Sequence, residues 1–184
     1  MNGKKITAAD VFTVPNILSF VRLLMIPFIV WTYCTEQSAV LTAALLILSG
    51  VTDVVDGFIA RRFNMISDIG KALDPVADKC TQLAMLLCLL TKYERMIIPF
   101  VILLVKELVN GTVNLISAKR KKRIEGADWH GKVSTVLLYA MLVVHVLWIN
   151  IPVCVSNVFI GACIVMMSIS FALYLLRGLK SIFE

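Results

Sequence analysis

The sequence predicts an all-α integral membrane protein, a bundle of six transmembrane helices, and three observations carry that prediction. The 184 residues are 59% hydrophobic and only 16% charged, with a mean hydropathy of +0.88. A water-soluble domain of this size has too little interior to hide so much apolar surface. The apolar residues also fall in long runs, each close to the ~20 residues that a helix needs to cross the hydrocarbon layer. Short polar or basic segments separate the runs, and no internal repeat or low-complexity segment divides the chain, so residues 1–184 read as one domain.

Residues 1–14 are short and mixed, either a partial amphipathic helix on the membrane surface or a frayed terminus. Pro15 and Asn16 open the first span, roughly 16–34. Arg22 lies one or two turns inside it, where an arginine either snorkels to the headgroups or, the favoured reading, faces a polar cavity. The second span, roughly 39–60, carries Asp53 and Asp56 near its end, with Arg61 and Arg62 at its boundary. The loop 63–69 is short, which makes spans two and three antiparallel neighbours. Span three, roughly 69–91, holds Gly70, Lys71, Asp74, Asp78 and Lys79. Pro75 removes a helix hydrogen bond there and predicts a kink beside the acids.

A polar turn over 91–95 leads to span four, 96–118. Glu107, Asn110 and Asn114 fall on one stripe of that span with Lys106 adjacent, a pattern that serves either packing hydrogen bonds or a ligand pocket. The basic run 119–123 reads as a headgroup-facing loop. Trp129, His130, Gly131 and Lys132 precede span five, 133–149, where Trp129 and Lys132 stand at the position of interface anchors. His145 within that span reads as a hydrogen-bonded packing residue. Span six, roughly 152–176, is closed by Arg177 and Lys180.

The formal net charge of +6 does not indicate a nucleic-acid partner, because the basic residues sit beside apolar spans and read as topology signals and anionic-lipid contacts. Lys4, Lys5, Arg61, Arg62, the 119–123 run, Arg177 and Lys180 all fall on one side, and the positive-inside rule puts that side, with both termini and the acids, in the cytoplasm. The five cysteines are scattered without a CxxC pair and read as small hydrophobes. No cleavable signal peptide is apparent, since the first apolar run is long enough to span and lacks a small-residue cleavage site.

The four aspartates carry the chemistry. Asp53 and Asp56 are three apart, Asp74 and Asp78 four apart, so each pair projects from one helix face about 40 to 60° apart. An ionised Asp at a bilayer centre costs about 2.5 to 3.5 kcal/mol, so four without compensation would cost on the order of 10 kcal/mol. Divalent cations compensate most directly, and hard oxygen ligands with no His or Cys beside them favour Mg²⁺, Mn²⁺ or Ca²⁺ over zinc. Gly57, Ala60, Arg61 and Gly70 lie between the pairs, where glycine admits close approach to backbone and arginine clamps a phosphate bidentately. Carboxylates, cation and arginine together point to phosphoryl chemistry.

Asp53-x2-Asp56-Gly57-x2-Ala60-Arg61-x8-Gly70-x3-Asp74-x3-Asp78 resembles the signature of the CDP-alcohol phosphotransferases, membrane enzymes that build phospholipids from CDP-linked donors, with all eight positions at the family's offsets. The resemblance implies transfer of a phosphatidyl group from CDP-diacylglycerol to an alcohol, with release of CMP. It implies two ions, Mg²⁺ or Mn²⁺: one held by Asp53, Asp56 and Asp74, the other by Asp53, Asp74 and Asp78, with Asp78 also the general base. Gly57, Ala60 and Arg61 would hold the donor, and Asn16, in the Thr13 to Ser19 segment, would lie beside its nucleotide. Ser67 is either a donor-phosphate contact or a helix cap.

The Thr-Val-Pro-Asn start, the Ala-Leu-Asp-Pro-Val-Ala-Asp-Lys run and Trp-His-Gly-Lys are similar to bacterial phosphatidylglycerophosphate synthases, which implies glycerol 3-phosphate as acceptor. Arg22, Lys106 and Lys132 are the candidate acceptor contacts. The chain departs from many such synthases at Lys106-Glu107, where Arg-Glu is usual. A CDP-type cardiolipin synthase using phosphatidylglycerol, and a phosphatidylinositol-phosphate synthase, are therefore the rival acceptor readings. The resembling enzymes are homodimers, so membrane lipids and a second copy of the chain are expected partners. A divalent-cation transporter would also place acids within spans, but it would not require Gly57 and Arg61 at fixed offsets and more often shows paired repeats.

Overall fold

The computed structural model describes residues 14–35, 38–62, 70–119 and 129–183. Among them the chain is all-α: α1 Val14–Cys34, α2 Ala39–Arg62, α3 Gly70–Leu90, α4 Ile97–Lys119, α5 Trp129–Leu147 and α6 Val153–Phe183, with a 3-10 turn Glu94–Met96 ahead of α4. The six expected helices are present. The N-terminal surface segment and the loop 63–69 lie outside the described residues.

Even α5, the shortest at 19 residues, rises about 28 Å, close to the thickness of the hydrocarbon layer. Asn16–Cys34, Glu94–Val113, Trp129–Leu147 and Val153–Arg177 are long and apolar enough to cross a membrane by length and composition. In α2 the stretch Ala39–Val55, which includes Asp53, is an apolar helix among the described residues, and α3 carries Asp74, Asp78 and Lys79 in its first half. Leu24, Val40, Leu108, Val136 and Val153 are each more than 60% exposed. So much outward-facing aliphatic surface belongs against lipid, and the chain is a multi-pass membrane protein.

Two boundaries differ from expectation. Trp129 to Lys132 form the first turn of α5 rather than a segment preceding it, and α6 continues past Arg177 to Phe183. Neither Pro75 in α3 nor Pro27 in α1 ends its helix. Each removes one backbone donor, and helices in a membrane tolerate that where neighbouring groups satisfy the freed carbonyl.

The chain divides into two compact units, residues 1–88 and 89–184. In the first, α1 and α2 are antiparallel partners. Thr42 Oγ1 lies 3.2 Å from Thr32 Oγ1 near the short connection, and Arg22 meets Asp53 at the far end. The buried faces follow helical spacing: Asn16, Ser19, Arg22, Ile29 and Thr32 on α1, and Thr42, Ala43, Leu46 and Ser49 on α2. Small hydroxyl and alanine side chains let the two backbones approach, as helix pairs in membranes require. On α3 the buried face runs Ala77, Asp78, Thr81, Gln82, Met85 and Leu86.

In the second unit α6 packs against both α4 and α5. Its buried residues Ser156, Ile160, Cys163, Met167 and Ser170 step by four, three, four and three, a single face of a helix. His145 is buried and satisfied at both ring nitrogens, Nδ1 2.8 Å from the Met141 carbonyl and Nε2 2.9 Å from Ser156 Oγ, in agreement with its reading as a packing residue. The turn before α4 is tied to the turn after α5: Lys92 Nζ donates to the Ile149 carbonyl at 2.6 Å, and Tyr93 stacks edge-on against His145. Burial holds the Tyr93 phenol above its ordinary pKa, so it stays protonated and donates to the same carbonyl at 3.3 Å.

Candidate functional site

The site lies where the buried faces of α1, α2 and α3 turn polar. Each face is apolar or hydroxyl-lined toward one end and carries acids or their partners toward the other: Asn16, Ser19 and Arg22 on α1, Asp53 on α2, Asp74 and Asp78 on α3. Antiparallel pairing of α1 and α2 brings Arg22, 31 positions away in sequence, to Asp53. The α1 contact with α3 brings Ser19, 55 positions away, to Asp74.

Asp53, Asp74 and Asp78 each have an internal partner. Arg22 Nη1 donates to Asp53 Oδ1 at 2.9 Å, with the arginine side chain fully buried and the aspartate 37% exposed. Ser19 Oγ donates to Asp74 Oδ1. Asp78 is paired with Lys79 at 3.1 Å and accepts from Gln82 Nε2. Asp53 also lies within electrostatic reach of Asp78, Asp74 and Lys79, so three of the four predicted acids share one region of the first unit. Like-charged carboxylates repel, and each is turned toward its nearest donor. Among the described residues, no three acidic, histidine or cysteine side chains converge at metal-holding distances.

Asp56 lies in α2, but its side chain falls outside the described residues, as do those of Gly57, Ala60 and Arg61, and Ser67 with the loop 63–69. Asn16 is buried one turn before Ser19 on the same face of α1. The arginine of α1 does not snorkel: its guanidinium is inside, on Asp53. Lys106 and Lys132 belong to the second unit, where Lys132 is exposed and Lys106 buried. Of the expected stripe on α4, the Asn114 side chain lies outside the described residues. Pro99, Leu103, Lys106 and Val113 are buried on α4, while Glu107 and Asn110 are half-buried.

Ser19 and Lys79 stand in the quoted segments without a role of their own, and Gln82 stands in none. Their signals were present: Ser19 stands midway between Asn16 and Arg22 at helical spacing, and Gln82 is one turn after Asp78. The donor chemistry fits a divalent cation, since the described carboxylates supply only hard oxygens, Asp53 is partly open, and no thiolate or imidazole contacts them in the interactions seen.

Removing the Arg22 guanidinium leaves Asp53 without its cation beside two other acids. Arg22→Met is expected to cost about 2 kcal/mol, the usual value of a hydrogen bond to a charged group, and to lower the melting midpoint of the detergent-solubilised protein by several degrees in tryptophan fluorescence. An unchanged midpoint would show that Asp53 does not depend on this pair.

Fold and site together define a multi-pass helical membrane protein with a compensated carboxylate cluster at one end of its first three helices. A family model, CDP-alcohol phosphatidyltransferase, matches residues 12–175. The chain belongs to that family. It is 31% identical over 179 residues to the CDP-diacylglycerol--glycerol-3-phosphate 3-phosphatidyltransferase of Aquifex aeolicus, covering 93% of this chain and 98% of that protein. It is 38% identical over 100 residues to the protein of the same name from Rickettsia bellii, covering 53% of this chain and 55% of that one. A fission yeast cardiolipin synthase (CMP-forming) / mitochondrial hydrolase fusion protein is 41% identical over 80 residues, 44% of this chain and 13% of that protein. The chain thus spans about half the length of the Rickettsia relative and a small part of the fusion protein.

Proposed function

We propose that this protein transfers a phosphatidyl group from CDP-diacylglycerol to glycerol 3-phosphate, releasing CMP, in phospholipid synthesis. The observation that carries the reading is the acid cluster of α1 to α3, which lies inside the stretch matched by the family model. The near full-length likeness to the Aquifex aeolicus protein supports glycerol 3-phosphate as acceptor.

Asp53, Asp56, Asp74 and Asp78 are the residues that would hold Mg²⁺ or Mn²⁺. When bound, these cations neutralise the donor pyrophosphate and acidify the acceptor hydroxyl. Gly57, Ala60 and Arg61, with Asn16, hold the cytidine diphosphate, and the planar guanidinium suits a phosphate bidentately. The acceptor oxygen forms a bond to the phosphatidyl phosphorus, the bond from that phosphorus to the CMP oxygen breaks, and Asp78 takes the hydroxyl proton. Asp is a weak base at its ordinary pKa near 3.9, so Asp78 depends on close placement against that hydroxyl. Basic residues concentrated on one side of the spans support a cytoplasmic site in the cytoplasmic membrane, where soluble sugar-phosphate acceptors are found. A homodimer is the expected assembly, by resemblance.

The likeness to the fission yeast fusion protein favours a second reading, phosphatidylglycerol as acceptor. One experiment separates the two: purified protein in detergent with labelled CDP-diacylglycerol, offered glycerol 3-phosphate, phosphatidylglycerol, inositol phosphate and serine in turn. CMP release with glycerol 3-phosphate at ten times the rate of any other acceptor is expected. Preference for phosphatidylglycerol would transfer the assignment to the second reading, and no CMP with any acceptor would end both.

A further inference from the structure

Gln82 is completely buried on α3, one turn beyond Asp78, in a helix face that otherwise continues as Met85, Leu86 and Leu89. An amide has no packing reason to stand there, since a buried polar side chain costs free energy unless its donors and acceptors are met. They are met by two charged neighbours. Gln82 Nε2 lies 3.0 Å from Asp78 Oδ1 and 3.0 Å from Asp78 Oδ2, straddling the carboxylate. Lys79 Nζ donates to Gln82 Oε1 at 3.3 Å and pairs with Asp78 Oδ2 at 3.1 Å. The amide orientation follows from this chemistry: flipped, it would set its oxygen against the carboxylate and its NH₂ against the ammonium.

We infer that Gln82 is a positioning residue for Asp78, an amide clamp that fixes the rotation of the carboxylate so that its remaining lone pairs face the cluster; this rests on the function proposed above. A carboxylate held on both oxygens by one buried donor has lost its freedom about the terminal torsion, which is otherwise broad. Lys79 alone does not impose that, because a flexible ammonium holds one oxygen as a point charge. Glutamine supplies the restraint without adding charge, whereas glutamate at 82 would set a further carboxylate about 3 Å from Asp78. Partners that orient a ligating side chain typically change metal affinity or activity by 10- to 100-fold when removed.

The test compares Gln82→Met, of similar volume but with no donor, and Gln82→His, which keeps one N–H donor, with the parent protein in detergent. Two quantities are measured: Mn²⁺ binding by electron paramagnetic resonance titration without substrates, and kcat and KM for CMP release. Gln82→Met is expected to weaken Mn²⁺ binding and lower kcat each by 10-fold or more with KM for CDP-diacylglycerol within twofold, and Gln82→His to recover part of both. Unchanged Mn²⁺ binding and kcat in Gln82→Met would overturn the inference. So would a loss confined to melting temperature, or one that Gln82→His does not relieve at equal folded fraction. A parent protein that binds Mn²⁺ but releases no CMP would instead remove the proposed function, while leaving the Mn²⁺ comparison to judge Gln82.

Discussion

Excess EDTA is expected to abolish CMP release by the purified protein, and Mg²⁺ or Mn²⁺ added beyond the chelator to restore it. The donor presents two phosphates, and an incoming glycerol 3-phosphate brings a third negative group toward Asp53, Asp74 and Asp78. The internal cations of the described site are Arg22 and Lys79, already committed to Asp53 and Asp78. They offset two of these three acids and leave Asp74 and the substrate charge unmet. Cation stabilisation of such charge is worth several kcal/mol, and at about 1.4 kcal/mol per tenfold the loss corresponds to 10³-fold or more. The measurement is labelled CMP released against free cation concentration. Activity undiminished in excess chelator would dispose of the cation scheme while leaving the family membership untouched.

Asp78→Asn should lose CMP release by 10² to 10⁴-fold, the range a positioned proton acceptor contributes, while binding CDP-diacylglycerol within a few-fold of the parent. The substitution keeps the shape. Asparagine still offers one oxygen to Gln82 Nε2, but its amide nitrogen turns a second donor toward Lys79 or Gln82, and the charge that Lys79 pairs with is gone. The variant is therefore expected to fold with a modest fall in melting midpoint. Equilibrium binding of labelled donor, run beside the CMP assay, separates the two effects. Equal CMP release by variant and parent at saturating substrates would take Asp78 out of the base role; lost donor binding would make it a binding residue first.

Asp78 and Arg22 show how differently parts of this site were legible. The acids could be read directly, because offsets of three and four bring side chains onto one helix face whatever surrounds the helix. The partner of Arg22 could not be read. Its burial was foreseeable from the cost of a charge in a span, but the choice of Asp53 depends on the register between α1 and α2, which also brings Thr42 to Thr32. Lys106 is the converse case. Spacing placed it beside a polar stripe, and it is among the inward residues of α4, a helix that packs on α6.

By itself the order of residues determined the helix count, the membrane as solvent and the four aspartates with their family, because hydropathy over ~20 residues and angular offset along one helix are local properties. Only the tertiary structure decided which donors hold Asp53 and Asp74, Arg22 and Ser19, whereas Gln82 and Lys79 reach Asp78 within α3. The first two of those pairings join residues on different helices, and a one-turn slip between helices would exchange both partners while leaving the hydropathy pattern unchanged.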